Sequence, residues 1–197
     1  MAEQTDRDIA ATGIRVAALY VETGGVYYGL PDVDPWDEQR DARLYAGPWP
    51  VVAHPPCNRW SLMAQCRPGL RNGDDGGCFE AALHAVREFG GVLEHPAYSL
   101  AWDRFELPEP TRFGWTTSLT DPGFTTEVDQ GMYGARTRKL TWLYVVGEPV
   151  PLRWGDGGKR ETTVRWLGHG RSSPTPPAFR DVLLDMARSA AKDRGAA

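Results

Sequence analysis

The stretch Pro50-Val51-Val52-Ala53-His54-Pro55-Pro56-Cys57 decides how the rest of the chain is read. Its first four residues form a short apolar run that predicts a buried strand. The run passes straight into two prolines and a cysteine. Consecutive prolines fix φ and remove N–H donors, so the loop is stiff. The carboxyl end of a strand is also where open α/β sheets carry their sites. A thiol held there is a candidate nucleophile, provided that His54 or an arginine helps it ionise. The plain alternative for any isolated cysteine is a buried, inert one.

Upstream, Ile14 to Val21 is β-prone and reads as a first strand. Glu22-Thr23-Gly24-Gly25 breaks it and Val26-Tyr27-Tyr28 follows, either as a hairpin partner or as part of a Gly-rich ligand loop. Residues 31–48 are rich in Asp, Pro and Trp, with a short helix around Asp37 to Leu44. Downstream, Phe79, Leu83, Val86 and Phe89 follow helical spacing over 76–89, and Gly90-Gly91 ends the helix. Val92-Leu93-Glu94 is the next strand, 106–125 is loop-like, and Leu140 to Val146 is the strongest strand of the chain. Residues 148–178 lack periodicity, and Phe179, Val182, Leu183 and Met186 mark a second amphipathic helix over 178–190. Strands interleaved with helices predict an α/β fold: a mostly parallel sheet flanked by helices, in one compact domain over 14–197 after a leader at 1–13.

The composition agrees. The chain has 197 residues, 41% hydrophobic and 24% charged, which suits one globular domain. No stretch approaches the roughly 20 apolar residues of a membrane span. The acidic start lacks the pattern of a signal peptide. Three cysteines, an odd number, exclude a full disulfide framework. A cytoplasmic protein is expected. The net charge of −4 is not that of a dedicated nucleic-acid binder. Between Arg136 and Arg171, however, eight basic residues face three acidic ones, either a phosphate-facing edge or a solvated surface.

Pro55-Pro56-Cys57-Asn58-Arg59-Trp60-Ser61 resembles the catalytic loop of the cytosine-C5 DNA methyltransferases. Val92-Leu93-Glu94-His95-Pro96 stands where that family has a strand ending in Glu-Asn-Val. Tyr133-Gly134-Ala135-Arg136-Thr137-Arg138-Lys139, followed by Leu140 to Gly147, is similar to its Tyr-Gly, basic stretch and final strand. The three motifs occur in the family's order over roughly residues 50–147. The resemblance implies a methyltransferase-like (Rossmann-like) fold, with Cys57 adding to C6 of a pyrimidine, Glu94 holding N3 and the exocyclic amine, and Arg138 orienting the base. Pro55, Pro56, Asn58, Ser61, Tyr133 and Arg136 would line the substrate. It further implies S-adenosylmethionine on the loop after the first strand, with Tyr20, Gly24 and Gly25 around it and Asp34 on the ribose. Here Glu22 replaces the loop's first glycine, and the helix that normally follows is nearly absent. Only about fifty residues follow Gly147, where the family carries a large target-recognition region. DNA or a pyrimidine nucleotide is the implied partner, gripped by an oligomer if the DNA is duplex, and a phage modification pathway would suit such a protein.

Two rivals stand beside this reading. One is a catalytically silent nucleotide- or DNA-binding module. The other is a cysteine enzyme of different chemistry, using Cys57 with His54 or His95. Cys57, Cys66, Cys78 and His84 are too irregularly spaced for a zinc site, so no metal is expected. Gly73-Asp74-Asp75-Gly76-Gly77 reads as a solvent loop that caps the following helix rather than a calcium loop. His169 reads as a loop residue, and Arg171 to Pro177 as a connection into the last helix.

Overall fold

The computed structural model describes residues 15–61, 73–136, 138–157 and 174–195. Cys66, His169, Thr137, Lys159, Arg160, Arg165 and Arg171 lie outside the described residues. Seven strands form one sheet: β1 (Val16–Leu19), β2 (Val33–Trp36), β3 (Val51–Ala53), β4 (Gly91–Pro96), β5 (Thr116–Thr117), β6 (Phe124–Asp129) and β7 (Leu140–Val146). Their order is β2-β1-β3-β4-β7-β6-β5. The first four run parallel, with Ala18 opposite both Pro35 and Val52, and Val52 opposite Val92. β7 then runs antiparallel to β4, β6 to β7, and β5 to β6. The expected mostly parallel sheet is therefore half right: the sheet is mixed, parallel on one side and antiparallel on the other.

Helices cover both faces. The chain forms α1 (Cys78–Phe89), α2 (Ala101–Arg104) and α3 (Pro177–Gly195), with short 3₁₀ turns at Ala42–Leu44 and Gln130–Tyr133. Alternate residues of each strand point to opposite faces. Ala17, Leu19, Val51, Ala53 and Leu93 pack on Phe79, Leu83 and Val86 of α1. Val16, Ala18, Val52 and Val92 pack on Phe179, Leu183, Met186 and Ala187 of α3. Every residue of β1 and β3 is buried, as the central strands of a parallel sheet require. Each large apolar side chain buried this way stabilises the fold by about 1.5–3 kcal/mol.

Local chemistry sets the ends of α1. The Asp75 carboxylate accepts from the backbone N–H of Gly77 and of Phe79, and from the Trp60 indole at 2.7 Å. The Gly-rich loop thus caps the helix. Gly90, at φ 73°, closes the other end by donating its N–H to the Val86 carbonyl. Gly91 then starts β4 at φ 117°, where a Cβ would stand 2.0 Å from the Val51 carbonyl oxygen.

Three expectations need correction. Residues 16–30 form no hairpin: residues 22–29 are turns, and the next strand, β2, lies parallel to β1. β2 is made of Val-Asp-Pro-Trp, an edge strand in which proline is tolerated, and carries no alternating pattern. The segment read as loop over 106–125 contains β5 and the start of β6. Among the described residues, no helix is long and apolar enough to cross a membrane.

Candidate active site

The carboxyl ends of β1, β3, β4 and β6 and the amino end of β7 meet along one edge of the sheet, as the strand directions and pairings require. A cavity of about 860 Å³ opens there, within the range of small-ligand sites. The loop after β3 contributes His54, Pro55, Pro56 and Cys57, and β4 contributes Glu94 and Pro96. Arg138, Lys139 and Leu140 enter at the start of β7. The turn after β1 supplies Tyr20, Glu22, Gly24, Gly25 and Tyr27.

Glu94 is 6% exposed and anchors a buried chain of hydrogen bonds. His54 Nδ1 lies 2.9 Å from Glu94 Oε2, and His54 Nε2 lies 2.8 Å from the Tyr27 hydroxyl. The Gln130 amide donates to Glu94 Oε1 at 3.0 Å and to Thr141 Oγ1 at 2.8 Å. Burial pushes the Glu94 carboxyl up, but the charge of Lys139, the His54 hydrogen bond and the two neighbouring imidazoles outweigh it, bringing it down to about 2. Glu94 is therefore a carboxylate at neutral pH, and His54 donates Nδ1–H to it. Burial and the nearby Glu94 charge hold the Tyr27 phenol well above its ordinary value. Tyr27 keeps its proton, and its hydroxyl and His54 Nε2 share a hydrogen bond.

Cys57 is an exposed residue whose sulfur faces this environment. Desolvation by the cavity wall and the charge of Glu94 raise its thiol, while Lys139 lowers it. At rest the group is a protonated thiol. Its ionisation is coupled to the charge on Glu94: anything that neutralises that carboxylate favours the thiolate.

Other residues named from sequence, Arg138 excepted, stand apart from this cavity. Asn58 is exposed at the far side of the loop, and Ser61 lines a smaller cavity of about 260 Å³ that shares Cys57 with the large one. The Tyr133 hydroxyl accepts from the Arg153 backbone N–H at 2.8 Å, and its ring packs on Phe179, so it serves the core. Arg136 is exposed. Arg138, a third exposed at its side chain, approaches Asp129 at 4.0 Å and Asp156 at 3.7 Å.

The Gly-rich turn carries the test of the methyl donor. Asp34 pairs with Arg40 at 2.6 Å and accepts from the Trp36 indole, and it does not line the cavity. The acid at the carboxyl end of β2 is instead Asp37, the place from which an acid in this type of sheet reaches ribose hydroxyls. Here Asp37 accepts from Thr23 Oγ1 at 2.8 Å, from the Tyr28 hydroxyl and from the Gln39 backbone N–H. The chain's own hydroxyls already engage this carboxylate, and Asp37, like Asp34, is not among the residues that border the cavity, whereas Tyr20, Gly24 and Gly25 are.

Sequence reasoning missed Tyr27, Gln130 and Thr141. Tyr27 was visible only as part of a hairpin or Gly-rich loop, and Gln130 lies three residues before the Tyr133-Gly134 motif without a motif of its own. Among the described residues, no group of three or more His, Cys, Asp or Glu could hold a metal. A scan against models of known families finds no match to this chain, and a search of curated proteins finds no significant match either.

Proposed function

We propose that this chain modifies a pyrimidine, cytosine foremost, at C5 by way of a covalent Cys57–C6 adduct. One observation carries the reading. A thiol and a carboxylate, delivered by the adjacent parallel strands β3 and β4, border the same cavity. C5 of cytosine is a poor nucleophile until a thiolate adds at C6 and converts the ring to an enamine. Glu94 accepts the Cys57 proton and passes it to N3, sulfur bonds to C6, and the proton ends on N3. Protonating Glu94 also removes the charge that opposes the thiolate, so both obstacles fall in one step. Lys139 stabilises the negative charge in transit, and the His54 and Gln130 hydrogen bonds fix the carboxylate. Both nitrogens of His54 are engaged, by Glu94 and Tyr27. It is thus poorly placed as the base of a Cys–His pair.

S-adenosylmethionine is the donor that the sequence motifs suggest; the engagement of Asp37 by Thr23 and Tyr28 speaks against it. The test needs no donor. An enamine formed in heavy water takes deuterium at C5, and elimination of Cys57 then returns cytosine one mass unit heavier. Mass spectrometry of deoxycytidine monophosphate or a short oligonucleotide incubated with the protein should show this exchange. Cys57→Ala should abolish it, and Glu94→Gln should slow it by about a hundredfold or more. Exchange that survives Cys57→Ala sinks the reading.

A further inference from the structure

The smaller cavity on the other side of Cys57 has no part in the adduct chemistry. Trp60, Ser61, His95, Tyr98 and Ser99 border it, and Cys57 and Pro96 form the wall shared with the large cavity. His95 is 1% exposed, and neither ring nitrogen has a hydrogen-bond partner. The Pro56 carbonyl lies close enough to favour the protonated ring without forming a hydrogen bond of ordinary geometry. The His95 ring packs against Phe79 and Trp102 and its nitrogens expose no surface, so it shapes the cavity without offering it a hydrogen bond. At the rim, Tyr98 is 60% exposed and sits at φ 64°, an unfavourable conformation for a tyrosine. Its ring packs on Trp142 with centroids 5.4 Å apart, which fixes an aromatic surface beside the opening.

We propose that this cavity receives the nucleobase next to the target pyrimidine, and that the substrate is a single-stranded oligonucleotide rather than a free nucleotide. The inference rests on the C5 reading above. Two points select this occupant. Cys57 and Pro96 border both cavities, so a ligand seated in the first can run on into the second. Tyr98 also offers an exposed aromatic face beside the opening, on which a base can stack whatever its sequence. Two neighbouring bases each enclosed by protein cannot be stacked in a duplex, and a chain of net charge −4 is not built to grip one.

Calorimetry on the full chain carrying Cys57→Ser, which cannot form the adduct, should compare deoxycytidine monophosphate with dinucleotides bearing thymine or adenine on either side of cytosine. At least one dinucleotide should bind about tenfold tighter or more. Tyr98→Ala, at an exposed side chain, should remove most of that gain and leave the mononucleotide unchanged. Dinucleotides that bind no tighter overturn the proposal. So does a His95→Gln or Tyr98→Ala effect that is equal for mononucleotide and dinucleotide, which would place these residues in the chemistry. The deuterium exchange of the unsubstituted protein separates the two ideas. A dinucleotide gain without exchange keeps the second cavity and sinks the adduct; exchange without a gain does the reverse.

Discussion

The two halves of the sheet do different work. The parallel half, β2-β1-β3-β4, carries Cys57 and Glu94 on the short connections and strand ends that parallel topology places along one edge. The antiparallel half, β7-β6-β5, supplies Gln130, Lys139 and Thr141, which hold and bias what the parallel half presents. The thiol and the carboxylate come from the parallel side, and the groups that touch or bias them come from the antiparallel side.

The same substitution in each half tests that difference. In the parallel half, Gly91→Ala sets a Cβ 2.0 Å from the backbone oxygen of Val51, which cannot yield, at a φ that alanine avoids. It should cost about 3 kcal/mol or more in denaturant unfolding, or prevent folding. In the antiparallel half, Gly123→Ala meets the buried ring of Tyr144 at 2.2 Å. A side chain can shift where backbone cannot, so a cost of about 2 kcal/mol is expected. Equal losses would erase the contrast.

Next in size is a pH effect centred on β4. Burial depresses His95 from 6.5 to about 4, against the opposing charge of Glu94. The unfolded chain therefore binds a proton that the folded chain refuses between those values. Stability should be full above pH 6.5 and fall by on the order of 3 kcal/mol as the pH drops to 4. Glu94, lowered from 4.5 to about 2, adds stability above pH 4.5 that is lost as the pH falls toward 2. Thermal melts of His95→Gln should lack the first of these two descents and keep the second. Gln130→Leu removes a hydrogen bond to a buried carboxylate, so it should cost about 2 kcal/mol and make the second descent smaller, ending at a higher pH. Arg40→Ala, which breaks a partly exposed ion pair on the edge strand, should change stability by less than about 1 kcal/mol.

Legibility followed the same division. β1, β3, β4 and α1 announced themselves because continuous apolar runs and a helical repeat are forced by burial on both faces of a parallel sheet. β7, in the antiparallel half, was plain from its run of aromatic and β-branched residues, and its predicted limits coincide with the strand found. β6, Phe-Thr-Thr-Glu-Val-Asp, hides because its buried polar residues are satisfied by tertiary partners: Thr126 donates to the Gly114 carbonyl at 2.6 Å and Glu127 accepts from the Trp142 indole. No local pattern announces such partners. At the site, Cys57 and Glu94 were legible through the loop and strand end that carry them. The clasp of Thr23 and Tyr28 on Asp37 was not, because a hydrogen bond across a turn leaves no spacing to read.

Glu94 and His95 are neighbours in one strand, yet they serve separate chambers because successive side chains of a strand exit on opposite sides. The placement of every group on β4 thus depends on a parity, which the close approach of Gly91 to Val51 locks. One residue inserted or deleted between Gly91 and Glu94 would trade anion for imidazole across the Cys57 partition. A change of that kind rewires both chambers without altering a single side chain.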